Sequence, residues 1–186
     1  MLDELRTRIF SAGEAGTRCL LDEPVTREVA QKIKESLVTA RILPAGAKAI
    51  QTIAFGKTPG TNWKVTWHQD VMFPFAKAVH HADFDLPSKK GGIDYARPPR
   101  PVLEEMLAVR LHLDGCDESN GPLRVSPGSH TNGILRSMEI PALVIQYGET
   151  VGLAKPRSCA RCCCMLRHQL RFQNTGASCI LSITAG

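Results

Sequence analysis

Residues 105–114 read Glu-Met-Leu-Ala-Val-Arg-Leu-His-Leu-Asp, and from Ala108 onward Ala108, Arg110, His112 and Asp114 alternate with Val109, Leu111 and Leu113. Successive side chains of a strand point to opposite faces, so a period of two specifies a strand with one apolar face. Working outward, Asn120-Gly121-Pro122 predicts a turn, Leu123 to Val125 a short strand, and Pro127-Gly128 a further turn. Upstream, Trp63 to His68 alternates in the same way, Gly56 to Gly60 is a turn, and Ala47 to Phe55 is small, apolar and β-branched, as in a strand. Short strands separated by Gly and Pro turns, with no internal repeat, predict a mainly β chain arranged as an antiparallel sandwich or jelly roll.

Helices are predicted ahead of these strands. Residues 2–12 read as one, and in 26–42 Val29, Ile33, Leu37 and Val38 recur at helical spacing until Pro44-Ala45-Gly46 ends the segment. Residues 71–101 carry Pro74, Pro87, Gly91, Gly92 and three prolines near Pro98, and read as a long irregular loop. A loop of that length in a compact domain is usually a lid or a binding loop. The chain of 186 residues, 43% hydrophobic, is expected to form one domain, with a helical part at 1–45, a β core at 46–150 and an atypical tail at 151–186.

Composition narrows the function. A net charge of +5, with Lys and Arg scattered except for an Arg-rich, acid-poor last 40 residues, makes nucleic-acid binding an unfavoured expectation. No apolar run approaches the roughly 20 residues of a membrane helix, and Met1-Leu2-Asp3-Glu4 has neither the basic start nor the apolar stretch of a signal peptide. The expectation is a cytoplasmic protein acting on a small-molecule substrate, with no protein partner indicated. Seven cysteines, an odd number, are expected to be reduced thiols.

The chemistry is carried by His68-Gln69-Asp70. His68 and Asp70 are two positions apart, so in a strand they project from one face and can grip a single cation. An imidazole and a carboxylate, completed by one distant His, form the facial triad that holds Fe(II) and leaves positions open for other ligands. The bland alternative is a polar pair at a strand end.

The surroundings favour the metal. Phe55-Gly56-Lys57-Thr58-Pro59-Gly60-Thr61-Asn62-Trp63-Lys64-Val65-Thr66-Trp67-His68-Gln69-Asp70 resembles the segment around the first two iron ligands in bacterial phytanoyl-CoA dioxygenases. Val109 to Asp114, Glu118 to Val125 and Pro127-Gly128-Ser129-His130 resemble that family's central strands and closing turn, so the likeness runs over about residues 40–135. It implies a double-stranded β-helix (jelly roll, cupin-like), Fe(II), 2-oxoglutarate as co-substrate, and hydroxylation of an aliphatic C–H bond. It also implies that His68 and Asp70 bind iron, that Lys57 lies near the co-substrate, and that Trp67 and Gln69 shape the site. His130 is expected to make a structural hydrogen bond in its turn, His112 to be a scaffold histidine or a substrate contact, and His80 and His81 are unassigned.

The tail departs from the family. The resemblance implies a late strand reading approximately Arg-x-Leu-Leu-Leu-His-Ala with the third iron ligand, then an Arg strand that pairs with the 2-oxoglutarate carboxylate. Neither is found; residues 155–186 are rich in Cys and Arg, with five of the seven cysteines between Cys159 and Cys179. Codons allowed for Arg161 to Leu166 read Leu-Leu-Leu-His-Ala in a shifted frame, and the same frame returns an Arg strand from Gln173 to Ala185. The slip falls between about Ile140 and Lys155. The expected product is a jelly roll incomplete at its C-terminus, with an open sheet edge and impaired activity. Two alternatives are a non-catalytic remnant or binding protein of the same fold, and a zinc-stabilised module using Cys159 and Cys162, with His168 and Cys179 as the remaining candidate ligands.

Overall fold

A computed structural model of the chain describes residues 2–9, 16–56, 65–113, 123–148, 150–152, 163–166, 170–173 and 177–184. In chain order the elements are α1 (Leu2–Ile9), β1 (Gly16–Arg18), α2 (Pro24–Thr39), β2 (Lys48–Gly56), β3 (Val65–His68), β4 (Phe73–Phe75), β5 (Asp85–Lys90), β6 (Ile93–Arg97), α3 (Arg100–Glu104), β7 (Leu107–His112), β8 (Leu123–Ser126), α4 (Ile140–Tyr147), β9 (Thr150–Gly152), β10 (Cys163–Leu166), β11 (Leu170–Gln173) and β12 (Ala177–Thr184). The chain is therefore mainly β with few helices, as its alternation predicts.

Helix α2 starts with Pro24 in its first turn, where the missing N–H costs nothing. It ends earlier than the sequence suggests, and without glycine. Arg41 takes a left-handed φ of 57°, its N–H reaches Val38 O at 2.9 Å, and the N–H of Ile42 reaches Leu37 O at 2.9 Å. These are the two bonds of a Schellman stop, and an arginine in the position glycine prefers hid it from a sequence reading.

The strands form three antiparallel sheets, in the orders β1-β2-β12-β7-β10, β3-β11-β8-β9 and β4-β6-β5. Counted along the chain, the eight strands β2, β3 and β7 to β12 stand in the orders first–eighth–third–sixth and second–seventh–fourth–fifth. Strand β7 is central and nearly wholly buried. Its Leu111 packs with Leu5, Ile9, Val25, Val29 and Ala54, and its Leu107 and Val109 with Ala30, Leu37, Leu43 and Ala47. The apolar face of residues 105–114 is thus covered by α1 and α2, and burial of these side chains is the main stabilising contribution, at about 1.5–3 kcal/mol for each large one. Alternation puts Arg110 and His112 on the other face, also buried.

Two expectations are corrected. Residues 71–101 are not an irregular loop: they hold β4, β5, β6 and the start of α3. Gly91 and Gly92, both at positive φ, are the tight turn of the β5–β6 hairpin, and Pro87 is tolerated because β5 is an exposed edge strand. The tail likewise does not leave its sheet seats open. β12 lies between β2 and β7, and β10 and β11 pair with β7 and with β3 and β8. Ladders need only backbone N–H and C=O groups, and Ile180, Ile183 and Thr184 favour strands.

Candidate metal centre and its cleft

Strand β3 ends at His68, and Asp70 follows two residues on, so both side chains sit where the chain leaves the sheet. His68 Nδ1 lies 2.8 Å from the carbonyl oxygen of Thr66. A carbonyl only accepts, so Nδ1 carries the proton, and in its neutral form the ring presents the Nε2 lone pair. That lone pair stands 3.4 Å from Asp70 Oδ1. With Nε2 unprotonated, the imidazole nitrogen and the carboxylate oxygen can serve together as donors to a cation, and with Nε2 protonated they form an ion pair; the imidazole is oriented by its backbone bond in both cases. Both side chains are part-exposed, at 36% and 43%, which leaves them accessible from solution.

Among the described residues no third ligand joins this pair. No group of three His, Cys, Asp or Glu able to hold a metal occurs among the described residues. The strand paired with β3 is β11, where Arg171 is the register partner of His68. Its residues are Leu170, Arg171, Phe172 and Gln173, and none is a carboxylate, imidazole or thiol. Lys57, Cys159, Cys162 and His168 lie outside the described residues.

His68 opens onto a cleft of about 720 Å³. One wall is Thr66, Trp67, His68, Gln69 and Val71; the other is Ile134, Leu135, Ser137 and the α4 residues Ile140, Pro141, Val144 and Ile145, with Leu86 and Arg97 from the β5–β6 hairpin. Arg97 is neutralised by a bidentate pair with Asp85, and its guanidinium holds the Asp85 carboxyl below the usual carboxylate range. Apart from Ser137 and the paired Arg97, the lining contributed by the hairpin, Ile134, Leu135 and α4 is therefore apolar, and it carries no uncompensated charge among the described residues. Its α4 half had no counterpart in the sequence reading, although Ile140-Pro-Ala-Leu-Val-Ile is an unbroken apolar run.

The other singled-out histidines fall elsewhere. His112 is 2% exposed, and its Nε2 has no hydrogen-bond partner among the described residues. Burial, followed by the nearby Arg110 charge, lowers its pKa to about 4. It is a neutral interior histidine that does not line the cleft. The Nδ1 of His130 is also buried and has no partner among the described residues, so the expected structural bond from that atom is not seen. The turn is held by Ser129 Oγ to Ser126 O at 2.7 Å and Thr131 Oγ1 to Gly128 O at 2.8 Å. His81 accepts from the Asp83 N–H at 3.3 Å in an exposed turn.

Comparison with known proteins bears on this arrangement. The family model described as Phytanoyl-CoA dioxygenase (PhyH) matches residues 11–139. EctD from S. alaskensis crystallised with bound Fe is similar at a TM-score of 0.61 and 19% identity, covering 92% of this chain and 57% of that one. Its complex with 2-oxoglutarate and 5-hydroxyectoine gives 0.63 and 17%, over 92% and 56%. HygX from Streptomyces hygroscopicus with iron bound gives 0.59 and 10%, over 98% and 76%. At these identities the likeness is one of fold, and the chain spans a little over half the length of the EctD chain. No curated protein matches.

Proposed function

We propose, from the premise that the chain belongs to the phytanoyl-CoA dioxygenase family, that His68 and Asp70 hold Fe(II) for a 2-oxoglutarate-dependent oxygenase of small molecules, and that this chain is impaired in that role. The observation that carries the reading is the pair itself: an imidazole fixed through Nδ1, with Nε2 facing a carboxylate oxygen at 3.4 Å. The two strand orders, first–eighth–third–sixth and second–seventh–fourth–fifth, support a double-stranded β-helix as the scaffold, and the solved relatives that share the fold were crystallised with Fe and 2-oxoglutarate.

Bound iron would supply the activation of dioxygen coupled to decarboxylation of 2-oxoglutarate. The chain's own residues do the rest. Thr66 O orients the His68 ring, the His68–Asp70 spacing sets which coordination positions stay open, and the apolar wall formed by Ile134, Leu135 and α4 would keep water from the substrate carbon. Lys57 is the residue proposed near the co-substrate, where a cation suits a dicarboxylate. The uncharged wall favours a substrate that presents an aliphatic surface to the iron.

Impairment is inferred because the tail sequence carries neither the Leu-Leu-Leu-His-Ala motif nor the Arg strand expected to supply the third ligand and the co-substrate arginine. The family match stops at residue 139, at the start of the interval in which the reading frame is proposed to slip. The test is succinate formation that requires both Fe(II) and 2-oxoglutarate, measured for this chain and for a version carrying Leu-Leu-Leu-His-Ala and the Arg strand in its tail. We expect little or none from the first and clear turnover from the second, lost again in Asp70→Ala. No turnover from the restored chain would sink the proposal.

A further inference from the structure

We infer that Gln69 is the positioning residue that fixes the cleft wall against the metal-binding pair and couples occupancy of the metal site to the wall's mobility; this rests on reading His68 and Asp70 as metal ligands. Gln69 lies between those two residues, half-buried. Its Nε2 donates to Gly133 O at 2.8 Å, and its Oε1 accepts from the Leu135 N–H at 2.9 Å. The side-chain amide thus stands in for the N–H and C=O of a single residue in a parallel β-ladder, pairing with the C=O of one residue and the N–H of the residue two further on. Ile134, the residue enclosed between those two bonds, and Leu135 both line the cleft with Trp67 and His68.

Gly133 also has a close neighbour in Arg100. Gly133 sits at φ 68° and ψ −146°, a conformation that disfavours a side chain, and a Cβ there would stand 3.3 Å from the Arg100 guanidinium. The Arg100 guanidinium thus lies close to Gly133, Gln69 holds the segment through its two bonds, and the chain then runs on into α4. A shift of the wall therefore pulls on a side chain whose backbone joins the two ligands, and ordering of the ligands by a metal steadies the wall in return. Only an amide of this length serves. Glutamate of the same size would offer two acceptors and oppose Gly133 O, and asparagine is one methylene too short.

The experiment follows amide hydrogen exchange in the full chain with and without Co(II), an oxygen-stable stand-in for Fe(II), in the wild type, Gln69→Met and Gln69→Glu. In the wild type, Co(II) should slow exchange at the Leu135 amide. In Gln69→Met, Leu135 should exchange about tenfold faster, Co(II) should still bind, and Leu135 should no longer respond to it, while Val109 and Leu111 keep their protection. Gln69→Glu, which retains the Leu135 acceptor but not the Gly133 donor, should lie between the two, and it serves alone if the Met variant does not fold. Leu135 behaving as in the wild type in both variants, or a Co(II) response that survives in Gln69→Met, overturns the inference. Equal acceleration at Val109 and Leu111 overturns it too, by making Gln69 a general structural bond. Failure of the wild type to bind Co(II) instead overturns the metal reading, and the coupling with it.

Discussion

Arg110 and His112 share the face of β7 turned away from the helices, at 3% and 2% exposure, and the arginine is charged at any ordinary pH. The imidazole is therefore held neutral, with its pKa lowered to about 4 by burial first and by the Arg110 charge second.

The sign of the pH dependence follows from that shift. The folded pKa lies below the unfolded value, so between them the unfolded chain binds the proton and the folded chain does not. Stability is full above about pH 6.5, falls as the pH drops towards 4, and loses nothing further to this group below that. Between pH 7 and pH 5 the loss from His112 should be about 2 kcal/mol. Urea unfolding at the two pH values should show it, and His112→Gln should remove most of the difference. An undiminished difference in that variant would place the acid sensitivity elsewhere.

Arg41→Gly should stabilise the chain. Arg41 is exposed at φ 57°, in the Schellman stop of α2, where a Cβ is a penalty and glycine is not. The gain is limited by glycine's greater freedom when unfolded, leaving about 0.5–1 kcal/mol. A raised urea midpoint with an unchanged slope is the expected outcome, and a lowered midpoint would mean that the arginine side chain contributes more than its backbone costs.

These two residues show where sequence reading succeeds and where it stops. The alternation at 107–112 located β7 and its covered face because burial on a regular strand leaves a period of two. It could not show that the polar face is buried too, since that depends on which elements pack across it. The α2 stop was missed because the backbone took a left-handed turn without glycine, and the β4–β5–β6 sheet because its Gly-Gly turn and edge-strand proline look like loop punctuation. That His68 and Asp70 stand side by side was legible from their spacing, and their role as metal ligands is the proposal made above. The Gln69 clamp was not, because Gly133 and Leu135 are more than 60 residues away in sequence and nothing local announces them.

The tail carries its own prediction. β10, β11 and β12 occupy their sheet seats through backbone pairing that tolerates many sequences, whereas iron and 2-oxoglutarate need particular side chains. Source DNA across codons 140–186 should contain a one-base change whose reversal restores Leu-Leu-Leu-His-Ala and the Arg strand together. Codons that exclude both motifs would make the Cys-rich tail genuine and raise the zinc reading. Bound zinc should then disappear on changing Cys159 and Cys162 to Ser.

The most direct test of the account is an anaerobic Fe(II) titration of the wild-type chain beside His68→Ala and Asp70→Ala. One weak site per chain is expected, weakened at least a further tenfold in each variant, because loss of either donor removes both a bond and the geometry it fixes. Fe(II) affinity unchanged by His68→Ala and Asp70→Ala would contradict the assignment of this pair as the metal centre.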